Sequence, residues 1–186
     1  MAEIAANREL GAALSQRFGW PWDAIVLSGG GNDLIDRLGD IIVPPADRRP
    51  PQGPEDYCGE AAVRQLLRDV TDGYRRIAQV RDAPDSPCPV APMITHTYAQ
   101  LTPRFSRASF VFVPVKGPWL APVLRFYEVP VEHWNDIADY LIRRLGDAIL
   151  GLAGQGDDAI SNFHVVGRAM RCCARCPARS ESRTTG

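Results

Sequence analysis

The chain has 186 residues, enough for one domain with a sizeable core. An apolar fraction of 45% and a charged fraction of 23% are ordinary for a globular protein, and a net charge of −1 gives no electrostatic case for nucleic acid or an anionic membrane. No run of about 18 apolar residues occurs, so no transmembrane segment is expected.

Met1 to Glu9 carries acids and lacks a basic-then-apolar layout, so it does not read as a secretory signal. The chain as written is expected in the cytoplasm; a start further upstream would leave its location open. Glu3 to Phe18 is alanine-rich, with Ile4, Leu10, Leu14 and Phe18 near helical spacing, and predicts a helix stopped by Gly19. The apolar run Asp23 to Leu27 predicts a buried strand, which runs directly into Ser28-Gly29-Gly30-Gly31-Asn32-Asp33. Leu34 to Asp40 is a short helix or turn. Pro44 to Pro54 holds five prolines and two arginines and predicts a loop.

Glu55 to Val80 gives the clearest helix. Val63, Leu66, Leu67, Val70, Tyr74 and Ile77 recur at helical spacing and define one buried face. A turn-rich stretch, Asp82 to Pro89, leads to a second strand, Val90 to His96. Leu101 to Pro130 is long, aromatic and proline-rich, and a connection of that length is usually functional or partly mobile. A second amphipathic helix, Glu132 to Leu152, runs through Trp134, Ile137, Leu141, Leu145 and Ile149. Asn162 to Val166 predicts a third strand, in which His164 packs; His133 opens the preceding helix as a solvated residue.

Helices alternating with apolar strands imply parallel pairing and a three-layer α/β/α sandwich, with ligands beyond the carboxyl ends of the strands. Ser28 to Asp33, His96 to Tyr98 and the residues after Val166 would reach that edge. Composition breaks at Gly167. Residues Gly167 to Gly186 hold five arginines and three cysteines without apolar periodicity, so the domain is placed at 1–166 and an irregular tail at 167–186.

Three glycines in a row let backbone amides approach a ligand, and an Asn beside them adds a neutral donor of the kind that stabilises an oxyanion in acyl transfer. This stretch resembles the SGNH (GDSL-type) hydrolase family, whose third sequence block is Gly-x-Asn-Asp; here it is Gly30-Gly31-Asn32-Asp33. Thr95-His96-Thr97-Tyr98 after the second strand and Gly117-Pro118-Trp119-Leu120 in the long connection look like the same family. The resemblance covers roughly residues 3 to 166. It implies a mainly parallel, flavodoxin-like sheet, hydrolysis of carboxylic esters of small molecules, no cofactor and no metal. It assigns the oxyanion hole to Asn32 and the backbone of Gly30. Asp33, Ser28, Gly29 and Gly31 shape the loop, and His96, Tyr98 and Trp119 are candidate pocket lining.

The chain also departs from the family. The Gly-Asp-Ser block that carries the nucleophile is absent, and the three histidines, His96, His133 and His164, are preceded three residues earlier by Met93, Pro130 and Ser161 rather than by the Asp of an Asp-x-x-His block. The resemblance therefore implies a catalytically incomplete chain with no burst on an activated ester. It also implies an absent first strand ahead of the opening helix, and an out-of-frame or altered terminus after Val166. The absent strand would leave an unpaired sheet edge through which copies could associate.

Residue by residue, plainer roles compete. Asn32-Asp33 could merely cap the following turn. Ser28 is read as structural, because no Gly-x-Ser-x-Gly elbow surrounds it. His96, with no acidic orienter nearby in sequence, is read as a satisfied structural histidine. Trp119 and its aromatic neighbours could wall an acyl or sugar site or form a loop core. Of five cysteines, Cys58 and Cys88 are isolated; Cys172, Cys173 and Cys176 cluster, but without the second pair a structural zinc site wants. Two functions of other classes remain open: a non-catalytic α/β module binding a small ligand or anion, and a nucleotide phosphate loop. The loop is disfavoured because Leu34 stands where a glycine is needed and no Gly-Lys-Ser/Thr follows.

Overall fold

The computed structural model of the chain describes residues 1–14, 20–105, 109–110, 113–114, 119–156 and 158–167. In place of one opening helix there are two short ones, α1 (Ala2–Ala5) and α2 (Arg8–Ala13). Asn7 divides them. Its side-chain oxygen accepts the amides of Glu9 at 2.7 Å and Leu10 at 3.1 Å, which starts a new helix rather than continuing the old one. The expected end at Phe18 and the stop at Gly19 lie outside the described residues.

Strand β1 (Ile25–Val26) is followed by two short helices, α3 (Gly31–Asp36) and α4 (Leu38–Ile41). The proline-rich stretch forms short 3-10 turns at Pro45–Asp47 and Pro54–Tyr57. Helix α5 (Glu60–Arg81) comes next, and Val63, Leu66, Val70, Tyr74 and Ile77 are its buried face; Leu67 sits only partly buried beside it. Strand β2 spans Met93–His96. The long connection holds a small antiparallel pair, β3 (Ser109–Phe110) with β4 (Val113–Pro114), and helix α6 (Ala121–Phe126). Helix α7 (Trp134–Gly151) buries the five residues its periodicity predicts, and β5 (Phe163–Val166) closes the fold.

The main sheet is parallel in the order β1-β2-β5. Ile25 pairs with Met93 and Val26 with Ile94; Met93 pairs with Phe163 and Ile94 with His164. Because side chains alternate along a strand, this register sorts them into two faces. Ile25, Met93, Thr95 and Phe163 are buried. The Tyr74 ring of α5 meets Phe163 edge-on at 5.4 Å, so α5 covers this face. Helices α1, α3, α4 and α7 all pack on α5.

The opposite face carries Val26 and Val166 at 77% and 62% exposure, with His164 exposed between them in register. The described residues thus build one helical layer on the sheet. His164, expected to pack, instead points out from this open face and bonds Asn162 at 2.7 Å, because its parity matches Ile94 and not Met93. His133 is half-buried with its ring 5.2 Å from Tyr57.

Entry to β2 depends on a buried cation. Arg81, the last residue of α5, is fully buried. It donates to both carboxylate oxygens of Asp82, at 2.7 and 2.6 Å, and to the carbonyl of Ala91 at 3.0 Å. Asp82 also accepts the amide of Val90 at 2.8 Å. A buried guanidinium satisfied in this way ties the end of α5 to the start of β2; stripped of its partners it would cost several kcal/mol. Val90, expected inside the strand, is held by these bonds at φ 53°, a left-handed conformation that a β-branched residue adopts only under constraint.

Two outcomes follow. Val90→Gly is expected to raise stability by about 0.5–1 kcal/mol, because relief of left-handed strain exceeds the added freedom of the unfolded chain. An unchanged or lowered denaturant midpoint would show that no strain is stored there. The hydrogen bonds from Arg81, and secondarily from Val90, hold the Asp82 carboxyl below the usual carboxylate range, against burial that raises it. Its contribution is present above the unfolded value of about 3.9 and drains as pH falls through the lower folded value. Asp82→Asn is therefore expected to flatten the fall of Tm below about pH 4. A curve parallel to that of the parent would exclude the pair from acid unfolding.

Candidate active site

The parallel register places the carboxyl ends of β1 and β2 side by side. Continuing the pairing of Val26 with Ile94 by two residues sets Ser28 next to His96, both on the open face. Ser28 Oγ lies 2.9 Å from His96 Nε2. His96 Nδ1 lies 3.1 Å from the carbonyl oxygen of Thr97. A carbonyl only accepts, so this contact assigns the proton of the neutral ring to Nδ1 and leaves a lone pair on Nε2. Ser28 then donates its hydroxyl proton to Nε2, the arrangement of a nucleophile and its base. The Thr97 amide donates to Val166 O at 3.1 Å, which fixes the strand end that supplies the carbonyl.

The other side of the loop is anchored in the core. The hydroxyl of Tyr74 donates to Gly29 O at 3.1 Å and shares a hydrogen bond with Thr95 Oγ1 at 2.8 Å. Burial, more than any neighbouring group, pushes the Tyr74 phenol above its usual range, so it stays neutral. Gly30, at φ 105°, turns the chain into α3, and a Cβ there would stand 3.1 Å from Val70 and 3.3 Å from Leu145. The turn is thereby wedged between α5 and α7. A Cβ on Gly31 would lie 2.6 Å from the Tyr98 ring, and that ring sits edge-to-face with His96 at 5.0 Å.

Asn32 is exposed in the first turn of α3. Asp33, half-buried, accepts the α-amino group of Met1 through both carboxylate oxygens, at 2.6 and 2.5 Å. Trp119 stands 44% exposed just ahead of α6. Among the described residues it forms no aromatic ring pair with His96 or Tyr98. Gly117 and Pro118 lie outside the described residues, as do Cys172, Cys173 and Cys176. Burial first, then Glu55, pushes the Cys58 thiol up to about 12, far from the thiolate a cysteine nucleophile needs. Among the described residues no group of three His, Cys, Asp or Glu side chains is placed to hold a metal ion.

Sequence reading placed Ser28, the glycines, Asn32, His96 and Tyr98 near one edge, but it gave Ser28 and His96 separate structural roles. The contact between them is non-local. The available signal was parity: Ser28 lies two residues past Val26 and His96 two past Ile94, in runs that each read as strands.

Tyr74→Phe is expected to lower stability by about 1–3 kcal/mol, since Thr95 Oγ1 and Gly29 O lose a buried partner. Chemical denaturation measures it; a loss below about 0.5 kcal/mol would mean that the hydroxyl does not hold the loop. No protein-family model, curated protein or solved structure gives a significant match to this chain.

Proposed function

We propose that the chain is an ester hydrolase of the SGNH type in which Ser28 is the nucleophile and His96 the base. The single observation that carries this is the Ser28–His96 hydrogen bond of 2.9 Å, with Nδ1 turned to the Thr97 carbonyl. The family's own serine block is absent from the sequence, and this pair supplies the missing chemistry at the edge where the resemblance puts the oxyanion donors.

In this reading the Ser28 oxygen attacks the ester carbonyl carbon while His96 Nε2 takes its proton. The carbonyl oxygen becomes an oxyanion, for which the Asn32 side chain and the Gly30 amide are the proposed donors. The carbon–oxygen bond to the alcohol then breaks, and the alcohol leaves with the proton from Nε2. Water, deprotonated by the same nitrogen, releases the acid and restores Ser28. The Thr97 carbonyl keeps Nδ1–H in place throughout and partly balances the imidazolium charge, as the acid of a triad would do more strongly. The finer architecture, a three-layer sandwich of SGNH type with a further layer over the open face, is part of the same proposal.

The test is labelling by a fluorophosphonate with peptide mapping, alongside hydrolysis of p-nitrophenyl acetate. Label on Ser28 and turnover abolished by Ser28→Ala are expected. His96→Ala is expected to cost about 10²- to 10⁴-fold in rate, the range of a lost general base. Equal labelling and turnover in Ser28→Ala would end this reading.

A further inference from the structure

We propose that Tyr98 is a positioning residue that sets the plane of the His96 imidazole, seated against the bare backbone of Gly31; the proposal rests on the Ser28–His96 reading above. Two hydrogen-bond contacts on His96, to Ser28 Oγ and Thr97 O, tether opposite nitrogens, but such bonds tolerate a range of angles and hold rotation about Cβ–Cγ only loosely. The Tyr98 ring, with its centroid 5.0 Å away and inclined by 62°, removes that freedom. Aromatic pairs favour this edge-to-face arrangement because the positive ring edge of one meets the negative face of the other.

Tyr98 is itself confined. It is half-buried and packed against the core cluster. Its ring and hydroxyl lie where a Gly31 side chain would be, with Cε1 at 2.6 Å, Cζ at 2.7 Å and Oη at 3.0 Å from the would-be Cβ. Glycine at position 31 therefore has a purpose beyond turning the loop. It makes room for the ring that holds His96, and so links the turn after β1 to the residues after β2. Among the described residues the Tyr98 hydroxyl has no hydrogen-bond partner, which puts the role in the ring rather than in the hydroxyl.

The experiment uses the full chain with ¹⁵N-labelled histidine. It reads the His96 tautomer by NMR and, separately, the rate of Ser28 labelling by a fluorophosphonate. The parent and Tyr98→Phe are expected to keep the Nδ1–H tautomer dominant and to label at rates within about twofold of each other. Tyr98→Ala and Tyr98→Leu are expected to mix the tautomers and slow labelling about 10- to 100-fold, the scale of a misplaced catalytic group. Tyr98→Leu refills most of the space over Gly31, so a loss there reports ring geometry and not a cavity, and it carries the test if Tyr98→Ala does not fold. Gly31→Ala, which drives a methyl into the ring, is expected to resemble Tyr98→Leu. Parent-like tautomer and labelling in both Tyr98→Leu and Gly31→Ala would overturn the proposal. A parent chain that never labels, yet whose His96 tautomer responds to Tyr98→Leu, would end the hydrolase reading and leave the role of Tyr98 standing.

Discussion

Parallel pairing of β1 with β2 sets Ile25 against Met93 and Val26 against Ile94, and the rest of the molecule follows from that alignment. The odd-numbered set, Ile25, Met93 and Thr95, turns toward α5 and is buried. The even-numbered set, Val26, Ser28, Ile94 and His96, turns outward. A slip of one residue would exchange these sets, bringing Ser28 and the exposed Val26 into the core and Ile25 into water. The apolar cost of that exchange, at about 1.5–3 kcal/mol for each large side chain, protects the hydrogen bond between Ser28 and His96. Folding and the candidate chemistry are thus specified by the same alignment.

Helix α5 enforces the alignment from the inside. Tyr74 sits where the helix crosses the sheet, with its ring on Phe163 of β5 and its hydroxyl on Thr95 of β2 and on the loop after β1. One side chain thereby senses all three strands. At the far end Arg81 closes the helix onto Asp82 and Ala91, where β2 is about to begin. The helix is pinned at both the site end and the entry end of the central strand, so it cannot shift by a turn without breaking buried polar contacts, each of which is expensive to leave unmade.

The long helices were legible because their signal is local and repeated: Trp134, Ile137, Leu141, Leu145 and Ile149 return to one side of α7 whatever the surrounding fold. Their neighbours were less so. Asn7 looks like one polar residue in an alanine-rich helix, yet its side chain competes for backbone amides and splits that helix. Val90 reads as a strand former and is instead held in a left-handed turn by Asp82, eight residues before it, and by Asn162, far from it in the chain. At the candidate site the glycine turn stood out by composition, and Ser28 and His96 did not. Parity within each strand run was readable, but that the two side chains meet depends on which strands are neighbours and in what register. His164 failed in the same way, because its burial depended on which side of the sheet the helices cover.

The strand pairs that build the site join residues about 70 positions apart, while α5 and α7 form from contacts a turn away. Closing such long loops costs conformational entropy before any pairing repays it. The Ser28–His96 contact depends on these long-range pairings and not on the local contacts that form the helices. Helical content and the meeting of Ser28 with His96 therefore report different contacts, and a chain with its full helical content need not yet hold Ser28 beside His96.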